Sequence, residues 1–391
     1  MRPLLPLLFT ACAAAPAHIA STPPPAPNAA ATRRLEELRA EVRAHPSGAA
    51  LYGLAHYAAK LGSTDEALAA LRQLDAIRWD GGIDDEAFPE LSRLPAFRAL
   101  AASLAGREPV AHESVPGFTL PEPGLHAEGI AYDPWRSSFY LSSTTTGRVV
   151  GLDESGRVRD VARTGLREVL GLKVGGPDRL LWAACTDDEH ADGDTCVLAI
   201  DPATGRIARR ACIPAQEHEL NDLAVSSSGV VYVTDSASGA VLLLRPGSEQ
   251  LEALVPAGRL RGSNGIALGA GDGVLLVAHS RGIARIVPST GSLADVEVPP
   301  SASFVGIDGM SLRDRTLFAI ANTYGRARIS RIVLDADLAR VESFDVLETE
   351  NQEWDEPTTG ALGPDGFYYV ADSQMNSGAA PRPTVVLKLR Y

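Results

Sequence analysis

The chain reads as mainly β, a six-bladed β-propeller preceded by a small α-helical domain, and three observations in its 391 residues lead there. A short motif, met first as HAEGIAYD over residues 126–133, recurs through the later two-thirds of the chain. Each copy has a leading residue, two further positions, then Ala, Ser or Lys, then an apolar residue. The leading residues are Glu128, Leu170, Asn221, Asn264, Asp308 and Thr358, at spacings of 42, 51, 43, 44 and 50. Propeller blades recur at roughly 40 to 50 residues each. The second observation is that, after Gly106, short alternating apolar runs separated by Gly, Pro, Asp and Ser replace any helical pattern, an all-β signature. The third is that the residues before Gly106 place apolar side chains at helical spacing.

In chain order, Arg2 and the apolar run PLLPLLFTA read as an export signal. The run is too short to span a bilayer, which takes about 20 apolar residues. Phe9-Thr10-Ala11-Cys12 resembles a bacterial lipoprotein signal, in which the Cys is acylated, with Phe in place of the usual Leu. Ordinary cleaved secretion and a plain apolar start are the alternatives. Residues 1–20 are assigned to the signal and 21–31 to an Ala/Pro-rich tether. Residues 32–108 form the helical domain and 110–391 the propeller.

The helical part should hold three or four short helices. ATRRLEELRAEVRA and GAALYGLAHYAAKLG carry helical periodicity, and Ser63 with Glu66 forms a capping box ahead of ALAALRQLDAI. The stretch LYGLAHYAAKLGSTDEALAALRQL resembles a tetratricopeptide-type helical hairpin, with Gly53, Ala55 and Ala67 at the close-packed positions. Only about one repeat is visible, whereas arrays need three or more to stand alone. A cap or spacer packed on the larger domain is therefore expected, with a peptide-binding module as the alternative.

Four strands per blade are clearest in LNDLAVS, GVVYVTDS, GAVLLLRP and LEALVP, and again in SNGIALG, GVLLVAHS, GIARIVP and ADVEVP. The sixth copy runs out of chain after TVVLKLR, so residues near 112–119, HESVPGFT, should supply its missing fourth strand and remove an exposed edge. Cys185 and Cys196 flank the polar tip TDDEHADGDT, and Cys212 follows on the next strand. Cys185–Cys196, Cys196–Cys212 and three free thiols all remain open, and export would place the chain where one bridge persists.

Composition narrows the function classes. An apolar fraction of 45% and a charged fraction of 22% are those of a globular protein. A net charge of −13, with no basic stripe, repels phosphate backbones and argues against nucleic acid. There is no Gly-rich phosphate loop, no Gly-x-Ser-x-Gly elbow and no zinc-type histidine pair. The acidic tip between Asp187 and Asp194 lacks the ligand spacing of a calcium loop and reads as a solvated hairpin.

The first strand of each propeller blade lines the central channel, so equivalent positions on different blades converge. Glu128, Asn221, Asn264 and Asp308 bring two carboxylates and two amides to one register. Like charges held close cannot both stay ionised without a cation, and all-oxygen donors select hard ions such as Ca²⁺, or another divalent cation. Asn-Gly, Asp-Gly and Asn-Asp also form turns, but four at one register in four blades is more than turn chemistry requires.

EGIAYD, ELNDLAV, SNGIAL and GIDGMSL resemble the strands of the gluconolactonase, regucalcin and senescence-marker-protein family and, more distantly, six-bladed paraoxonases and diisopropyl-fluorophosphatases. The likeness covers residues of about 118 to 391. It implies that Glu128, Asn264 and Asp308 ligate Ca²⁺, that Asn221 completes the site or holds substrate, and that Asp308 is a candidate general base. It also implies a metal that polarises a lactone or ester carbonyl and activates water. Two departures limit the transfer: Glu219 stands where sugar-acid lactonases of this family carry Arg, and Leu170-Gly171 where paraoxonases place a His.

His218 and His126, close to these positions in sequence, are candidate bases or loop histidines, with His218 the stronger. His279 is weaker, and Asp222 and Glu356 line the pocket or sit at solvated strand ends. The expected function is calcium-dependent hydrolysis of a lactone or related ester by an exported, monomeric protein of the periplasm or outer envelope. Its partner would be a small molecule, with membrane contact only through Cys12. A non-catalytic envelope propeller with a structural Ca²⁺ is the alternative.

Overall fold

A computed structural model describes residues 27–44, 46–83, 85, 87–107, 109–187, 193–322, 327–375 and 380–391. The signal, most of the tether, Cys12 and the centre of the acidic tip lie outside these residues. Among the described residues there are four α-helices: α1 (Pro27–Ala44), α2 (Gly48–Lys60), α3 (Thr64–Ala76) and α4 (Pro95–Ala105). Ser47 caps α2 by accepting from the Ala50 amide at 3.1 Å. The box expected at Ser63 does not form: Ser63 precedes α3 without a side-chain bond to it. Glu66 turns instead to Arg39 of α1, which donates to both its oxygens at 2.7 and 2.6 Å. A two-bond charge-assisted contact between helices outcompetes a local cap.

Six four-stranded antiparallel sheets follow, and we number them as blades 1 to 6 in chain order. Their inner strands are Ile130–Asp133, Glu168–Gly175, Leu220–Val225, Ile266–Leu268, Ile307–Arg313 and Gly360–Leu362. Blade 6 closes the ring as the sequence suggests. Its outer strand is Val115–Pro123, which pairs with Pro383–Arg390. Residues before Val115 belong to the neighbouring blade: Thr349 N donates to Ala111 O and Glu113 N to Leu347 O. The segment thus joins blade 5 to blade 6 and leaves no edge at the seam. The outer strand of blade 4 lies at Ser292–Asp295, earlier than ADVEVP suggests. The tight turn at Gly291 (φ +70°) starts it early, and Glu297 bonds instead across to Ala339 and Val341 of blade 5.

Cys185, Cys196 and Cys212 lie side by side on three adjacent strands, directly opposite one another in register. The disulfide joins Cys196 to Cys212, and Cys185 is a buried free thiol.

The inner strands touch closely around the axis. A Cβ on Gly171 would lie 2.7 Å from Asn221 O, and one on Gly265 would lie 2.6 Å from Asp308 O, so only glycine lets neighbouring blades meet there. Blade 3 carries Asp222 at the equivalent position. Its carboxylate accepts from Leu223 N at 2.8 Å and from Ile266 N of blade 4 at 3.2 Å, making the inter-blade link through a side chain. The ring is completed by Thr358 and Thr359 of blade 6, whose hydroxyls donate to Glu128 O at 2.9 and 2.6 Å.

The helices sit on one face of this ring. Trp79 and Val305 share the helical core, Asp80 N donates to Ser301 O at 2.9 Å, and Ser303 N donates to Asp80 Oδ1 at 2.8 Å. These propeller contacts lie in the loop that leads into the inner strand of blade 5. The helices therefore pack over blades 4 and 5 on the face where the leading residues stand.

Candidate metal centre

The leading residues occupy the ends of the inner strands, and the backbone aims them. Ladder register breaks between Val169 and Leu172, between Leu220 and Leu223, and between Ile307 and Gly309. Bulges of this kind re-aim side chains next to functional sites. They fall on Leu170, Asn221 and Asp308. Glu128 and Asn264 lie just ahead of their strands.

Glu128 (5% exposed), Asn221 (8%) and Asp308 (8%) are buried, and Asn264 is partly buried with its Oδ1 out of solvent. Burial pushes the Glu128 carboxyl well above its ordinary range, and the fields of Asp308, Asp222, Glu219 and Glu168 push it further. These groups come from blades 1, 2, 3 and 5, so the side chains converge on the axis. Burial also pushes Asp308 up to about 6; amides of Asn322 and Asn264 hold it down and Glu356 and Asp222 push it up. Asp222 is raised by burial as well, with Lys173 opposing the rise.

Hydrogen bonds fix Asp308 at both oxygens. Asn264 Nδ2 donates to Oδ1 at 2.7 Å and Asn322 Nδ2 donates to Oδ2 at 2.7 Å. Asn322, which also donates to Pro357 O at 2.9 Å, carries no repeat signature in the sequence that would mark it. With its amide committed to Asp308, Asn264 presents Oδ1 without a donor. Asn221 Oδ1 is likewise buried without one. Buried polar atoms are ordinarily satisfied, and two amide oxygens without a donor beside two buried carboxylates form a set of oxygen ligands suited to a cation. The residues therefore fit a hard divalent ion, with Glu128, Asn221, Asn264 and Asp308 as the groups that would hold it.

The remaining candidates are placed differently. Leu170 and Thr358 are buried, and Thr358 is spent on the inter-blade bond already described. His218 stands near the ligand-bearing face with its side chain 32% exposed, and its Nδ1 lies 2.5 Å from the buried Asp235 Oδ2. That carboxylate also accepts Glu219 N and the Ser238 hydroxyl, so the imidazole is oriented from behind. His126 has a left-handed backbone (φ +48°), and its Nδ1 lies 3.1 Å from Gln374 O. His279 is buried in blade 4, its Nε2 lying 3.2 Å from Asp295 Oδ1.

Together the fold and the site define a six-bladed propeller with a converging acidic centre on its covered face. No protein-family model matches the chain, and no curated protein matches it in sequence. Solved structures do. The major Malassezia sympodialis allergen Mala s 1 is similar at TM-score 0.55 and 12% identity, covering 71% of this chain and 96% of that one. The PQQ-bound aldose sugar dehydrogenase of Streptomyces coelicolor is similar at 0.52 and 15%, covering 72% and 99%. Regucalcin from Agrobacterium tumefaciens, described as a calcium-binding protein, is similar at 0.51 and 14%, covering 72% and 97%. Their differing descriptions show a shared architecture; the chemistry must be argued from the site.

Proposed function

We propose that the chain is a calcium-dependent hydrolase of the gluconolactonase type, acting on a lactone or related ester at the channel mouth. The observation that carries this is the pair of orphaned amide oxygens, Asn221 Oδ1 and Asn264 Oδ1, beside the buried carboxylates of Glu128 and Asp308. The regucalcin-like architecture and the strand motifs of the sequence support it. Bound there, Ca²⁺ would supply Lewis-acid polarisation of a substrate carbonyl.

The protein's own groups divide the remaining work. Asn264 and Asn322 hold Asp308 in one orientation. Held by those two amides, the Asp308 carboxylate would be the general base that accepts and returns the proton. His218, oriented by Asp235 through Nδ1, offers its other ring nitrogen as a second proton carrier at the mouth. A non-catalytic role with a structural cation has one observation in its favour: both Asp308 oxygens already accept amide hydrogens.

The same reading makes the protein an exported monomer acting on a small molecule, anchored through Cys12. The Cys196–Cys212 bridge supports an oxidising compartment. The test is a screen of purified protein against lactones, aryl esters and phosphotriesters, with calcium and with EDTA. Hydrolysis of at least one lactone or ester that EDTA abolishes is expected. Background rates throughout, with calcium present, would rule the enzyme out and leave the structural role.

A further inference from the structure

Between the helices and the propeller, on the ligand-bearing face, lies a second cavity of about 560 Å³. Small-molecule sites commonly measure roughly 300 to 1,000 Å³ and favour the seams between domains. Helices α1 and α2 form one wall; the other is made by the loops that run into the inner strands of blades 4 and 5 and by the turn at Ser280 and Arg281 between two later strands of blade 4. Its charge is opposite to that of the chain. Arg34 and Lys60 enter from the helices, Arg261 and Arg281 from the propeller, and no carboxylate is among the described lining residues. This basic pocket sits in a protein of net charge −13, close to an acidic metal centre.

The four cations are not equally free. Arg34 is held by Glu37 in its own helix at 3.1 Å, and Arg261 and Arg281 lie 3.7 Å from Glu37 and Glu41 respectively. Those acids stand outside the cavity lining. Lys60, exposed at the end of α2, has no acidic partner among the described residues. Leu38 and Tyr57 add apolar side chains to the same lining.

We propose that this interdomain cavity binds an organic anion, a carboxylate on an apolar body, with the charge against Lys60 and the arginines and the body along Leu38 and Tyr57. The bonds from Asp80 to Ser301 and Ser303 tie the helical part to the loop that carries Val305 of this wall. Gly262 and Val305 of its wall precede Asn264 and Asp308 by two and three residues, so an occupant bears on the loops that carry both metal-centre residues. The site is separate from the metal centre and does not depend on it.

The experiment titrates 2-naphthoate and its neutral analogue 2-naphthamide into the full chain by calorimetry, in EDTA and in calcium. Wild type, Lys60→Met and Lys60→Glu are compared; Lys60 is exposed, so both variants should fold. Saturable 1:1 binding of the naphthoate is expected in both buffers. It should be weaker by roughly tenfold for the amide and for Lys60→Met, and weaker still for Lys60→Glu. Equal binding of acid and amide, affinity unchanged in both Lys60 variants, or no heat would overturn the site. Binding seen only with calcium would move the anion to the metal centre and overturn it too. Loss of hydrolysis in the substrate screen leaves the expected result untouched, so the two readings fail separately.

Discussion

The two ends of the central channel are made by the same six strands, yet they are chemically unlike. At the end away from the helices, a cavity of about 230 Å³ is lined by the positions three residues after each leading residue: Ala131, Lys173, Ala224, Ala267, Ser311 and Ala361. Five of the six are small, because the strands crowd together near the axis, and Lys173 is the one charge among them. At the covered end the leading positions diverge, and four of them are oxygen donors. Repetition builds the ring, and chemistry enters where the repeat is broken on one side of it.

Removing a charge from the covered end should have the largest effect. Glu128→Gln and Asp308→Asn should each weaken calcium binding by roughly ten- to a hundredfold, because charge count sets affinity at oxygen sites. Calcium titration of each variant checks this, and an unchanged affinity in either would remove that residue from the donor set.

Next comes the blade junction built through a side chain. Asp222→Ala leaves Leu223 N and Ile266 N without their acceptor, at a cost of about 1 to 3 kcal/mol for each buried donor stranded. Denaturant unfolding should show the loss. Asp222→Asn, which retains an acceptor, should recover part of it.

A smaller effect follows from the raised carboxyls. In EDTA the raised carboxyls of Glu128 and Asp308 should keep their protons to higher pH in the folded chain than in the unfolded one. Stability from these groups is therefore complete below the ordinary carboxylate range and is lost as pH rises; for Asp308 the loss runs from 3.8 through about 6. The chelated protein should melt at a lower temperature at pH 7 than at pH 5, and saturating calcium should cancel the difference. A melting temperature that rises over this interval in EDTA would contradict the burial of these groups.

The smallest effect belongs to the opposite end. Lys173 acts on Asp222, not on the donor set, so Lys173→Met should change calcium affinity by less than about threefold. A larger loss would mean that the two ends share one electrostatic site.

The ring was legible in the sequence because each blade repeats its turn residues and its leading position, and because the sixth copy visibly lacks a strand. The set Glu128, Asn221, Asn264 and Asp308 was proposed from the same shared register, and the structure places these residues at the ends of the inner strands of four blades. Asn322 was not legible: it reaches Asp308 from outside the inner strand and has no counterpart in the repeat to mark it. Asp222 could be read as pocket or solvent, since nothing local says that its neighbours carry glycine where the blades touch. The cysteines left two pairings open, and both prove to be in direct register, so strand order alone could not choose. Glu66 followed a local rule that an interhelix arginine overrode, and the docking of α1 and α2 over blades 4 and 5 depends on long-range contacts that no local pattern carries.

The central claim is that four residues from four blades hold one hard cation. Calcium titrated into the EDTA-stripped full chain at neutral pH, with heat and melting temperature followed together, tests it most directly. One calcium per chain, with a melting temperature that climbs as the site fills, is the result expected. Neither heat nor a shift at millimolar calcium would contradict it.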